Sequence, residues 1–428
     1  MVSKKSLGAY CVQSKKAVFL SLSIIFVIAC LLRIAPIVYE EWKNPGWHAA
    51  NINEMEFYYD DVARSLLVGK GFVHSVSPRS PDYKFSFEPG TPFHFVPPLY
   101  AWWLYIIYFI FGPNVFIAKV IQCFLDASVC IFIYLLGKRI FEEDKKALLS
   151  AVLYAIYPLA IIMCSNLYYQ IPLNVALCIV ILGYMASVNW KNGFWTGVAV
   201  GVSALAKPVT LPFLLLLPAI RLAETGFKKA LFKPALAWSV VFILAGLAVL
   251  APWTIRNYIV FKKFVPVQHG GEEVFVQGSK EAYIDLDVNA LRQKYPTGLA
   301  PSNQLTETAI RNHFYHIREN FFDYLRFMSK KFLLTWYNTE GKQKNYKALL
   351  VQTPFLIFAV ISLLFSGKTC WSRPGIYVVA TILYICFIQV MLFPLVRYTL
   401  AVMPLVMILS ADGLILATQQ MRLQHEKK

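Results

Sequence analysis

The chain has 428 residues, of which 57% are hydrophobic, 15% aromatic and only 15% charged, whereas an ordinary soluble domain carries about 25% charged residues. That composition excludes an ordinary soluble globular protein, and many apolar runs approach or exceed about 18 residues, the length of a membrane span. The net charge of +17 is assigned to loops held at an anionic leaflet, not to nucleic acid, because no basic, aromatic-interleaved soluble domain exists to carry such binding.

Lys4, Lys5, Lys15 and Lys16 precede the first apolar run, 17–36. No small-x-small cleavage site follows it closely, so it reads as an uncleaved span with its N-terminus inside. Residues 37–113 then form a first external loop. Within it, residues 53–72 read NEMEFYYDDVARSLLVGKGF, with Glu54, Glu56, Asp60 and Asp61 packed into eight positions. The stretch predicts a short helix. Asn53 suits the N-cap and Glu56 the third helical position, as in a capping box. Met55, Tyr58, Tyr59, Val62 and Leu66 recur at helical spacing, and Gly69 and Gly71 end the helix. A Pro- and Gly-rich stretch beginning at Glu88 follows. An aromatic helix at 99–111, rich in Trp and Tyr, is then placed in the interface, because every later basic loop then falls inside.

Spans are predicted at 114–137, 147–164 and 171–188, and at 194–206 and 209–220, two short runs that meet at Lys207 and Pro208. Another is predicted at 235–253. Residues 254–345 form a second external loop, helical toward its end. Spans at 346–365, 374–393 and 399–418 complete about ten, with both termini inside. The expected architecture is an all-α, multi-pass membrane protein in three parts: 1–253, 254–345 and 346–428. Plasma (inner) membrane is the expected location. The eight cysteines fall almost entirely in apolar runs without a C-x-x-C pair, and read as packing residues, not a disulfide framework or metal site.

Arg33, Lys119, Lys207, Arg256 and Arg397 lie at or near the outer boundary, where positive-inside loops do not call for them. Cations at membrane depth are functional candidates, and guanidinium groups there suit a lipid-linked phosphate. Singly, each cation can snorkel or pair with a nearby acid. Glu56 can serve only to cap, Asp60 only to pair with Arg64 four residues on, and Asp61 only to face water. Together, external acids and boundary cations suggest group transfer, a carboxylate acting as general base while a phosphate leaves.

Tyr-x-x-x-Ala (59–63), Gly-x-Gly-Phe (69–72), Pro-Pro-Leu-Tyr (97–100) followed by Phe111 and Gly112, Pro-Trp-x-x-Arg-Asn-Tyr (252–258), and Arg397-Tyr398 before the last span occur in that order. In this the chain resembles the GT-C glycosyltransferases of the dolichyl-phosphate-mannose-protein mannosyltransferase and aminoarabinose-transferase type, over most of its length. The resemblance implies a GT-C-like membrane fold and an inverting transfer from a polyprenyl-phosphate sugar to an external glycan, lipid or protein acceptor. It implies no essential metal or other cofactor. It implies an acid of the first external loop as base, here Glu56 or Glu54, with Asp60 and Asp61 as second choices. Glu88 and Tyr59 are expected to position the acceptor. Arg256 and Arg397, with Tyr398 and Lys207, are expected to hold the donor phosphate. The chain departs from the family pattern at Met55, where an Asp is common, and at Gln170, where a carboxylate is often found. Two other functions fit parts of the pattern. A polysaccharide polymerase or ligase would use lipid-pyrophosphate donors. A transporter or flippase of lipid-linked sugars would line a path through the membrane with its charges.

Overall fold

The computed structural model describes residues 4–74, 90–93, 96–226, 228–268, 274, 275, 278, 310, 311, 314, 315, 317–339, 342–367 and 370–426. Glu88 and the side chain of Glu54 lie outside the described residues.

The chain opens with α1 (Lys4–Lys43), the turn α2 (Trp47–Ala50), α3 (Glu54–Leu67) and α4 (Pro98–Phe111). A long helix α5 (Val115–Phe141) follows, then α6 (Asp144–Ala155), α7 (Pro158–Met163), α8 (Gln170–Tyr184) and α9 (Trp190–Ala206). After a 3-10 turn (Pro208–Thr210) come α10 (Phe213–Ala223), α11 (Lys229–Phe261) and α12 (Phe321–Thr335). The chain closes with α13 (Lys342–Phe365), α14 (Arg373–Met391), α15 (Val396–Thr399) and α16 (Met403–Glu426).

Among the described residues, six helices are long and apolar enough to cross a membrane: α1, α5, α11, α13, α14 and α16. α4, α8 and the Pro208–Ala223 segment are apolar but shorter. The run 147–164, expected as one span, is two helices, because Pro158 has no N–H to continue the first; it starts α7 instead. The run 235–253 is longer than expected. α11 continues through Pro252 to Phe261, so Arg256 sits within the helix and not after it.

A row of glycines explains the close pairing of α9 with α11. Gly193, Gly197 and Gly201 recur every four residues on α9 and lie against α11. A Cβ on Gly193 would sit 2.6 Å from the Trp238 carbonyl oxygen, and one on Gly197 would run into the Phe242 carbonyl. Only a bare backbone lets two membrane helices approach this closely. Replacing Gly197 by Leu is expected to lower stability by at least about 1–3 kcal/mol, the usual range for overpacking. Thermal unfolding of the detergent-solubilised chain reads this directly, and an unchanged midpoint would show that α9 and α11 are not locked together there.

The seven cysteines whose side chains are described are all buried and free. At the end of the bundle away from α3, Lys146 bridges to the fully buried Asp412 at 2.6 Å. Ser362 donates to the same carboxylate at 2.8 Å. This pins α6 and α13 to the last helix.

Candidate active site

The predicted acidic helix forms as α3. Asn53 caps it, accepting from the Glu56 backbone N–H at 3.1 Å, and φ values of +76° at Gly69 and +85° at Gly71 place both glycines in left-handed backbone just past its end. Its acids have separate fates. Asp60 is 1% exposed and held on both oxygens by Arg64 Nε, at 2.9 and 2.8 Å, and by the Tyr108 hydroxyl at 2.7 Å. Asp61, equally buried and not facing water, pairs with His74 Nδ1 at 3.3 Å. Glu56 does more than close a cap. It is 2% exposed, lies 3.0 Å from the Lys119 ammonium of α5 and accepts from the Asn53 side-chain amide. An ionised carboxylate offers about four lone-pair sites, so two partners orient it without saturating it.

The Glu56 end is joined to the far C-terminal region through the α7–α8 loop. The Tyr168 hydroxyl donates to Asn53 Oδ1 at 3.1 Å. The next residue, Tyr169, presents its ring to Lys207 at 4.6 Å, and the same ammonium lies 5.3 Å from the Tyr398 ring. The Arg397 guanidinium is 5.2 Å from the Tyr398 ring and donates to its hydroxyl at 3.4 Å. Burial raises the Tyr168 hydroxyl above its usual pKa, the positive charge of Arg397 opposes this, and Glu56 adds to it. One phenol therefore senses both the acid and the arginine. Tyr59, fully buried against Tyr100, is pushed up by burial and by Tyr169, Tyr168 and Tyr398, with Arg397 again opposing. Its hydroxyl has no hydrogen-bond partner among the described residues.

Glu56, Tyr59, Lys207, Arg397 and Tyr398, read from the sequence as site residues, are thus brought together. Lys119 joins them as an ion partner of Glu56. Tyr168 was not singled out from the sequence; its tether to Asn53 spans 115 positions, and no local pattern marks it. Neither Arg397 nor Lys207 has a carboxylate at ion-pair distance among the described residues.

Arg256 has a different setting. Its Nη2 donates to the Phe72 carbonyl at 2.9 Å, and its guanidinium packs on the Trp253 ring at 4.9 Å. Neighbouring side chains of the same motif reach the returning chain. Trp253 Nε1 donates to the Val267 carbonyl at 2.6 Å, and Asn257 Nδ2 to those of Val265 and Val267 at 3.0 and 3.2 Å. The Pro-Trp-x-x-Arg-Asn-Tyr motif therefore clips the end of α11 to the loop on each side. Arg33, the other boundary arginine, is fully buried and bonded to Asp126 at 2.6 Å.

Beside Lys207 and Tyr398 opens a cavity of about 290 Å³. Its apolar wall comes from α8, the Pro208–Thr210 turn and α14, including Leu173, Val209, Ile385 and Ile388. Lys331 of α12 braces its rim, donating to the carbonyls of Gly278 at 2.6 Å and Leu392 at 2.8 Å; burial pushes this ammonium down to about 7. Among the described residues no three His, Cys, Asp or Glu side chains are grouped as ligands for a metal ion.

The fold is similar to that of known proteins. Residues 95–255 match the family model described as dolichyl-phosphate-mannose-protein mannosyltransferase. The oligosaccharyltransferase AglB from Archaeoglobus fulgidus, solved with an inhibitory peptide and a dolichol-phosphate, superposes with a TM-score of 0.60 at 16% identity, over 96% of this chain and 52% of that one. ArnT from Cupriavidus metallidurans, bound to undecaprenyl phosphate, superposes with a TM-score of 0.50 at 15% identity, over 94% of this chain and 60% of that one. No curated protein matches the sequence. The chain spans about half the length of AglB. It carries the GT-C glycosyltransferase fold.

Proposed function

We propose that this chain is a membrane glycosyltransferase that moves a sugar from a polyprenyl-phosphate donor to an acceptor on the external face of the plasma membrane. The observation that carries the reading is the Tyr398 ring, which lines an apolar-walled cavity together with Lys207 and packs against both the Lys207 ammonium and the Arg397 guanidinium, two cations without a carboxylate partner among the described residues. The dolichol-phosphate on AglB and the undecaprenyl phosphate on ArnT support a donor of that class.

In the reaction, an acceptor hydroxyl attacks the anomeric carbon of the sugar as the bond from that carbon to the phosphate oxygen breaks. Glu56 takes the hydroxyl proton. The polyprenyl phosphate leaves as an anion with its charge held by Arg397 and Lys207. Attack opposite the leaving group inverts the anomeric centre. Tyr59 and Tyr168 flank the acceptor side. Arg256 acts by holding the first loop in place.

Charge-assisted hydrogen bonds of this kind contribute about 1.5–3 kcal/mol each, so Arg397→Ala and Lys207→Ala are each expected to lower transfer roughly 10–100-fold. The assay supplies membranes with labelled polyprenyl-phosphate sugar and, in parallel, the corresponding diphosphate. Near-normal transfer in both variants would sink the phosphate assignment, and use of the diphosphate alone would favour a polymerase or ligase.

A further inference from the structure

Three side-chain amides line the cavity beside Lys207, each with a polar atom that has no hydrogen-bond partner among the described residues. Gln389, on the last turn of α14, is 5% exposed, and neither its Nε2 nor its Oε1 is bonded. Gln170, which starts α8 directly after the Tyr169 ring, is 3% exposed with Oε1 unpaired. Gln268, half-buried, also has Oε1 unpaired. A buried amide atom left without a partner is costly, and a ligand that bonds it recovers that cost. Two of the positions are also fixed from outside the cavity. Gln268 follows Val267, which Trp253 and Asn257 hold. Gln389 precedes Leu392, whose carbonyl takes Lys331.

We propose that Gln170, Gln268 and Gln389 form the subsite that reads the donor's sugar, and that this sugar is neutral and rich in hydroxyl groups. The inference rests on the polyprenyl-phosphate reading above. Amides offer both donors and acceptors, the complement of a ring of hydroxyls. Among the described residues the cavity lining contains no Asp or Glu, and its charged member is Lys207. A sugar carrying an ammonium group would find no counter-charge there and would meet a like charge, which rejects it. A uronic acid would compete with the phosphate for the same ammonium.

The test uses the full chain in lipid nanodiscs and four lipids: sugar-free polyprenyl phosphate, and the same lipid carrying a neutral hexose, an amino sugar or a uronic acid. The wild type is expected to transfer the neutral hexose with a kcat/KM at least 10-fold above the other two. Gln389→Leu and Gln170→Leu are expected to lower that value roughly 10–100-fold, with binding of the sugar-free lipid unchanged, which also reports that the variants are folded. Gln389→Glu is expected to narrow the margin against the amino sugar. Unchanged turnover in both Leu variants, or a wild-type preference for either charged sugar, overturns the subsite. Failure of the wild type to bind even the sugar-free lipid overturns the donor reading itself, and this inference with it.

Discussion

Replacing Glu56 by Gln is expected to lower sugar transfer by roughly 10²–10⁴-fold, the usual contribution of a general base. The substitution keeps the shape and an oxygen toward Lys119, but removes the group that takes the acceptor's proton. It has a second consequence, because the Glu56 and Lys119 side chains are each only 2% exposed. Breaking a buried ion pair from one side leaves the other charge uncompensated and costs about 3–5 kcal/mol. Loss of activity alone therefore does not separate a base from a structural ion. The double variant Glu56→Gln, Lys119→Met does. Removing both charges is expected to restore most of the stability, read by thermal unfolding, while transfer stays low. Transfer that returns together with stability would make Glu56 a structural ion and move the base to Glu54, Asp60 or Asp61. Among these, Asp60 already accepts from Arg64 and Tyr108 on the two oxygens.

Arg33→Met is expected to destabilise the protein by about 3–5 kcal/mol and to leave the turnover of the folded fraction near that of the wild type. The guanidinium is fully buried. It donates to Asp126 at 2.6 Å and to the carbonyls of Ala29, Ala155 and Tyr154 at 3.1, 2.9 and 3.3 Å, tying α1 to α5 and α6. Its removal strands a buried carboxylate whose remaining partner is the Tyr154 hydroxyl at 2.8 Å. Arg33→Lys is expected to recover only part of the loss, since an ammonium lacks the planar fork that reaches several acceptors at once. Thermal unfolding together with activity per folded molecule checks both statements. A stable Arg33→Met protein without transfer would return Arg33 to the site.

These two residues show what could be read in advance. Glu56 was legible because helix capping and residue periodicity are local: Asn53, Glu56 and Gly69 lie within one short stretch and act on each other through it. Arg33 looked like a site cation because its partner, Asp126, is 93 positions away and belongs to another helix. Arg256 was read as following its span, but α11 runs on through Pro252, and the guanidinium is spent on the Phe72 carbonyl 184 positions earlier. The glycine row on α9 carries a spacing visible in the sequence, yet its meaning depends on α11 lying against it.

Composition and apolar runs by themselves determined that this is a helical membrane protein with an acidic helix in its first loop, and motif order carried the resemblance to the GT-C fold. They suffice because chain length against bilayer thickness and local hydrogen bonding act over neighbouring residues. The tertiary structure decided which charges are spent and which are available. Glu56 came to rest near Arg397 through Tyr168 and Asn53, Asp60, Asp61 and Arg33 were paired elsewhere, and Gln170, Gln268 and Gln389 met on one cavity. Those outcomes depend on which distant helices pack together, and burial makes each pairing energetically decisive, since a buried charge or amide without a partner is expensive.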